Sequence, residues 1–173
     1  GYMLSQVIVP PQKIDGGSVT LRAVEGYIDA VKVEGLSDER ARAVRGYVDK
    51  IVGQRPLRSS SLERYLLLAN DLPGMAVRSF IEPAQQNTGA ATLTLKAEHK
   101  PLDVFSRISN RGTDFVGPYQ YEIGGSYNGL MSAGQNLTAR VLTTPLDHKE
   151  LKYANLQFTE QVDNEGTSVV LSV

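Results

Sequence analysis

Between residues 27 and 101 the hydrophobic period changes twice, from two to about 3.6 and back to two, and this order constrains the fold more than any other feature of the chain. The run Tyr27-Ile28-Asp29-Ala30-Val31-Lys32-Val33-Glu34-Gly35 alternates, with Ile28, Ala30, Lys32 and Glu34 on one side and Tyr27, Val31 and Val33 on the other. It predicts a half-buried strand ended by glycine. Over 38–52 the spacing puts Ala41, Val44, Val48 and Ile51 on one helical face and Arg40, Arg42, Arg45 and Lys50 on the other. Gly53 is a stop, and Arg55-Pro56-Leu57 cannot continue a helix, because a residue before proline is pushed out of the helical region. A second helix is predicted over 62–72, with Leu62, Tyr65, Leu66, Ala69 and Leu72 as its buried stripe. Ser60 and Glu63 have the spacing of a capping box, and Pro73-Gly74 closes the segment. Residues 75–81 and 92–97 then read as a hairpin around the polar loop 83–90.

The order strand, helix, helix, strand, strand implies an α+β unit. Two helices cover only one face of so small a sheet, so the first strand must pair beside the hairpin. Short connections then leave 75–81 on an outer edge. An edge strand presents unpaired backbone groups that an extended peptide can use.

The flanking sequence is β-rich. Residues 3–9 and 19–24 are strand-like around Pro10-Pro11-Gln12-Lys13-Ile14-Asp15-Gly16-Gly17, whose Asp-Gly-Gly is turn chemistry. This hairpin is marginal alone and must dock on a neighbour or belong to a larger domain. After residue 101 helical periodicity ends. Tyr119, Tyr121, Ile123 and Tyr127 alternate with Gln120, Glu122, Ser126 and Asn128. Leu137, Ala139, Val141 and Thr143 continue the pattern after a turn over 131–136. Ala154, Leu156 and Phe158 then oppose Tyr153, Asn155 and Gln157, and Val169, Leu171 and Val173 begin a further strand. Turns are expected over 145–148 and 162–166. Alternating strands of roughly ten residues with aromatics near their ends are the signature of a transmembrane barrel, or of a soluble meander. Four or five strands do not close a barrel, which takes at least about eight.

With 173 residues and a net charge of −1, the chain has no field that would collect nucleic acid or an anionic bilayer. It has no cysteine, hence no disulfide and no thiolate metal site. No apolar run reaches the length of a spanning helix.

Gly1-Tyr2, Val7-Ile8-Val9-Pro10-Pro11-Gln12, Asp15-Gly16-Gly17 and Val24-Glu25-Gly26-Tyr27 together resemble the end of the first POTRA domain in the outer-membrane transporters of two-partner secretion, the haemolysin secretion and activation proteins. Arg55-Pro56-Leu57, Leu62-Glu63-Arg64 and Leu68-Ala69-Asn70-Asp71-Leu72-Pro73-Gly74 resemble the second. Ser109-Asn110-Arg111-Gly112, Gly117-Pro118-Tyr119-Gln120 and Gly134-Gln135-Asn136-Leu137 resemble the first barrel strands. Thr159-Glu160-Gln161 departs from the pattern, which usually has a proline shortly after this strand.

The resemblance implies a hairpin of a first POTRA domain over 1–26, a second POTRA domain over 27–101 and the first strands of a transmembrane β-barrel over 102–173. It places the protein in the outer membrane of a Gram-negative bacterium, with residues 1–101 in the periplasm. The implied partner is an unfolded, secreted exoprotein of haemolysin or adhesin type, held by strand addition and by the groove beside a helix. The candidate surface is Met75, Val77, Arg78, Ser79, Phe80 and Ile81 with Leu62, Tyr65 and Leu66. The chain reads as a piece of a longer protein, with a first POTRA domain lacking its opening strand and helices and a barrel lacking later strands. Its bare strand edges are expected to drive self-association.

Other constellations have plainer readings. His99 and His148 are the only histidines, and without cysteine or a carboxylate at ligand spacing no metal site is expected. No cofactor is expected either. Ser59-Ser60-Ser61 lacks a base and is explained by helix capping; no acid, base and nucleophile set points to an enzyme. Asn136-Leu137-Thr138 is a short glycosylation match that chance supplies often. Val44-Arg45-Gly46-Tyr47 spells a motif that the superfamily places in a loop deep in the barrel, but here it falls mid-helix, with Val44 as core. Arg107, Arg111 and Asp114 are lumen-facing groups or polar strand ends, and the resemblance favours the former. Tyr119, Tyr121 and Tyr127 are interfacial aromatics or core. The competing functions are an outer-membrane protein assembly factor of the same superfamily and a structural or adhesive β-rich surface protein.

Overall fold

The computed structural model describes residues 1–14, 16–84, 87–113, 117–144 and 151–173. Its elements run β1 (Gln6–Ile8), β2 (Arg22–Val24), β3 (Tyr27–Glu34), α1 (Asp38–Val48), a 3-10 turn (Asp49–Ile51), α2 (Ser59–Asn70), β4 (Met75–Pro83) and β5 (Ala90–His99). β6 (Leu102–Ser109), β7 (Gln120–Asn128), β8 (Gln135–Thr143), β9 (Lys152–Gln161) and β10 (Ser168–Ser172) follow. They divide into two compact units, Gly1–Asp71 with Ala76–Glu98, and Leu72–Met75 with His99–Val173.

In the first unit three strands pair in the order β3-β5-β4, with β3 parallel to β5. Parallel pairing needs a crossover long enough to hold helices, and α1 and α2 supply it. The inner face of β5 carries Ala91, Leu93, Leu95 and Ala97, all buried; Val44, Tyr47, Val48 and Ile51 from α1 and Leu62 and Ala69 from α2 complete the core. As expected from the connection lengths, β4 lies on an edge. Val44 and Tyr47 are core side chains of α1 and Arg45 is exposed, so the Val-Arg-Gly-Tyr string is an ordinary helix segment here.

Three local expectations are corrected. The alternation of β3 is broken by a bulge at Asp29: the register steps from Ile28↔Ala91 to Ala30↔Thr92, then Val31↔Leu93 and Val33↔Leu95. One extra residue reverses the side-chain sense, so Val31 and Val33 join Ile28 on the core face and are not opposite to it. The first helix tightens into a 3-10 turn before Gly53, whose φ of 75° ends it. The second helix starts at Ser59, with Arg58 at its N-cap and no side-chain cap, so the Ser60–Glu63 box does not form. Instead the N–H and hydroxyl of Ser59 donate to the Gly1 carbonyl, at 3.0 and 2.9 Å.

β1 and β2 pair over Gln6↔Val24 to Ile8↔Arg22, shorter than the predicted hairpin arms. The hairpin is fastened by an antiparallel bridge between Tyr2 and Arg58 and by the Gly26 N–H donating to Ser5 Oγ at 3.1 Å. Beside it the Arg55 guanidinium lies 3.3 Å from the centroid of the buried Tyr27 ring.

The second unit is an antiparallel meander in the order β10-β9-β8-β7-β6. Its register places Leu102, Val104 and Ile108 of β6 in rows with Tyr127, Gly125 and Tyr121 of β7. Ile123 and Val141 share the next rows, as do Leu156 with Ala139 and Phe158 with Leu137 and Leu171. One face is therefore apolar and the other carries Asp103, Arg107, Glu122, Asn136, Thr138, Arg140, Asn155 and Gln157. Tyr119, Tyr121 and Tyr127 are exposed and are not core. Among the described residues no helix is long and apolar enough to cross a membrane. The turn expected over 145–148, His148 included, and Asp114 lie outside the described residues.

Candidate functional site

The turn between α2 and β4 is tight because Leu72 accepts the Met75 N–H at 3.0 Å and Gly74 adopts a φ of 67°. A Cβ at Gly74 would collide with the Lys100 carbonyl and with Asn128. The Lys100 N–H donates to the Gly74 carbonyl at 2.8 Å, which leaves no room for a wider turn.

A groove of about 750 Å³ lies along α2 and the β4 edge. It is lined by Leu62, Leu66 and Leu67 with Ser59, Glu63 and Asn70 from the helix, by Val77, Ser79 and Ile81 from the strand, and by Met3. Glu63 is the one charged side chain of that lining, so the groove suits apolar and small polar groups, with a cation tolerated at one point.

The backbone direction of β4 follows from one bond. The Val77 N–H donates to Asn70 Oδ1 at 2.8 Å, so it points away from β5, the strand's one sheet neighbour. Because a strand alternates with period two, the N–H and C=O groups of Ser79 and Ile81 point the same way, out from the edge. Of the strand residues whose side chains line the groove, Ser79 and Ile81 are thus the ones whose backbone can accept a further strand.

The proposed site residues divide accordingly. Leu62, Leu66, Val77, Ser79 and Ile81 are together in the groove. Arg78 and Phe80 are on the opposite face of the sheet, beside Glu34, Ala76, Lys96 and Glu98, with Lys96 Nζ 5.5 Å from the Phe80 ring centroid. Tyr65 turns to the other flank of α2, where Lys50 and Arg64 approach its ring at 5.5 and 5.8 Å. Met75 is buried at the start of β4 and is not part of this groove's lining. Met3, Ser59, Glu63, Leu67 and Asn70 were not singled out by sequence. Residues 59, 63, 67 and 70 follow helical spacing on the flank next to the buried stripe, and that is the signal that could have found them.

On the polar face of the second unit Arg107 stands 3.4 Å from Glu122. Asn136 Nδ2 donates to Asn128 Oδ1 at 2.7 Å and Thr138 Oγ1 to Asn136 Oδ1 at 2.8 Å, so both polar groups of the Asn-Leu-Thr match are committed to the sheet. Asn128 Nδ2 in turn reaches the Lys100 carbonyl at 3.0 Å. Among the described residues no group of three or more metal-ligating side chains is close enough to share a cation.

No family model matches the chain. It is 24% identical over 168 residues to the heme/hemopexin transporter protein HuxB of Haemophilus influenzae strain 86-028NP, covering 96% of this chain. HuxB of the Rd strain is 23% identical over the same length. The chain spans 29% of the length of these transporters. Among solved structures it superposes on CdiB from Escherichia coli with a TM-score of 0.64 and 21% identity, over 99% of this chain and 35% of that one. CdiB from Acinetobacter baumannii gives 0.59 and 18%, over 99% and 32%. BamA from Haemophilus ducreyi, lacking POTRA domains 1–3, gives 0.51 and 15%, also over 99% and 32%. At these identities the structural likeness speaks for the fold: a POTRA-like β-α-α-β-β unit followed by an open sheet of antiparallel strands, an arrangement that matches part of a POTRA-plus-barrel chain.

Proposed function

We propose that this chain belongs to the outer-membrane transporters that join POTRA domains to a β-barrel, and that it supplies the periplasmic receptor of a two-partner secretion transporter and part of its barrel wall. Residues 1–26 are the closing hairpin of one POTRA domain, 27–101 a second, and 102–173 the first barrel strands. The protein sits in the outer membrane, with residues 1–101 on the periplasmic side. It performs no bond chemistry; its work is to hold an unfolded exoprotein and pass it outward. HuxB carries heme/hemopexin in its name. The open edge and groove support a polypeptide cargo, which this reading takes to be of haemolysin or adhesin type.

The observation that supports this most is the coincidence of an open strand edge with an apolar groove. The outward backbone groups of Ser79 and Ile81 would bind any extended chain, giving sequence-tolerant affinity. Alternate side chains of the guest would enter the groove between Leu62, Leu66, Val77 and Ile81 and provide selectivity. An unfolded cargo needs both: weak dependence on sequence and a defined direction.

The test uses proline. Ser79→Pro deletes an outward donor and leaves the pairing with β5 intact, so capture of an unfolded exoprotein segment in a pull-down should fall about tenfold, while the melting temperature changes by only a few degrees. Phe80→Pro, one residue on, deletes a donor to β5 and should destabilise the unit. Capture unchanged by Ser79→Pro means that the guest does not use this edge.

A further inference from the structure

We infer that Asn70 sets the register of the guest strand by occupying the outward donor of Val77 in β4. Resting on the receptor reading above, the argument starts from the three residues whose backbone faces outward, Val77, Ser79 and Ile81. A flat edge of this kind specifies register weakly, since a guest can slide by two residues and find an equivalent partner. Here the positions are not equivalent. The Val77 N–H is already taken by Asn70 Oδ1 at 2.8 Å, whereas Ser79 and Ile81 lie beyond the reach of that side chain. A guest that paired at Val77 would displace an intramolecular hydrogen bond and gain only its equal in return.

The position of Asn70 makes this a stop and not a general cover. It is the last residue of α2 and lines the same groove, so it closes one end of the guest's track while Ser79 and Ile81 stay open. At the other end Pro83, the next residue whose backbone faces outward, has no N–H to offer. The edge therefore presents a short window of two residues with complete donor and acceptor pairs, fenced on one side by an amide side chain and on the other by a proline. A short window fixes where the guest's side chains fall relative to Leu62 and Leu66, which is what converts backbone pairing into selection.

The absence of cysteine from the chain makes the test direct. Single cysteines are placed at Arg78, flanked by Ser79 and the capped Val77, or at Phe80, flanked by Ser79 and Ile81. The probe is a six-residue Thr-Val alternating peptide with a cysteine at either end, and the readout is the ratio of disulfide cross-linking at 78 to that at 80 in the whole chain. With Asn70 present, position 80 should dominate. Asn70→Ala should raise the 78-to-80 ratio about fivefold, the effect of one freed neutral hydrogen bond. Asn70→Asp, which keeps the acceptor oxygen, should restore the original ratio, an outcome that a purely structural role of Asn70 would not produce. Equal cross-linking at both positions with Asn70 in place, or a ratio unmoved by Asn70→Ala, overturns the register assignment alone. Cross-linking at neither position overturns the receptor reading and this inference with it.

Discussion

The two sheets of this protein are written in the same alternating pattern and put it to opposite use. In β5 of the first unit the inward residues Ala91, Leu93, Leu95 and Ala97 are sealed by two helices. In β7 of the second unit the equivalent positions, Tyr121, Ile123 and Tyr127, are open. Among the described residues the buried apolar side chains of the second unit are Leu72, Met75 and Ala133, and the rest of the core belongs to the first. A period of two therefore specifies a strand with two unlike faces but not what covers the apolar one. In the first unit the cover is helix. In the second, by the transporter reading, it is lipid, which takes the place of a core.

Truncation separates the two cases most sharply. Leu93 is fully buried, so Leu93→Ala removes packing and leaves a cavity, and should cost about 2–5 kcal/mol of stability by denaturant titration. Ile123 is 60% exposed, and Ile123→Ala should fall within about 0.5 kcal/mol in aqueous solution. Comparable losses at both sites would mean that the second sheet has a protein cover of its own.

Charge sharpens the same comparison. Ile123 lies mid-strand on the apolar face, so Ile123→Arg in the bilayer-folded protein should cost about 2–4 kcal/mol if that face meets the hydrocarbon midplane. Gln157→Arg, on the polar face, should change little. A tolerated arginine at 123, measured by denaturant titration from phosphocholine bilayers, would put water against that face.

How far these regions could be read in advance follows the same division. The strand-helix-helix-strand-strand order and the edge position of β4 were legible because a change of period and short connections determine them. The two faces of β7, β8 and β9 were legible too, since alternation assigns each side chain to a face, whereas their register was not, because a shift of two residues keeps the same faces. The bulge at Asp29 was not: no glycine or proline marks it, and it appears only when β3 must match the spacing of Ala91, Leu93 and Leu95. The groove was half legible. Its centre was placed on the buried stripe of α2, but a groove forms where burial ends, on the flank carrying Glu63, Leu67 and Asn70. Tyr65 belongs to the opposite flank, which faces cations and not the strand. Met3 is distant in sequence and is held beside the groove by the bonds from Ser59 to Gly1 and the bridge between Tyr2 and Arg58.

The smallest effect expected concerns what a sheet with few buried side chains in its own unit relies on: ladders and turns. In the turn between β9 and β10, Asp163 Oδ1 accepts the N–H groups of Glu165 and Thr167 at 2.8 and 2.9 Å. The Thr167 side chain, then its N–H and that of Glu165, hold the Asp163 carboxyl down to about 2, from an ordinary value of 3.8. A carboxylate whose folded value is depressed stabilises the turn above its unfolded value and loses that contribution as pH falls through the folded one. The turn should thus stay intact through pH 3.8 and loosen only near pH 2. Carbon-detected titration of Asp163 would read the midpoint, and amide exchange at Glu165 and Thr167 should accelerate over the same range. A midpoint near 3.8 would mean that these bonds do not form in solution, leaving the β9–β10 register to the ladder alone.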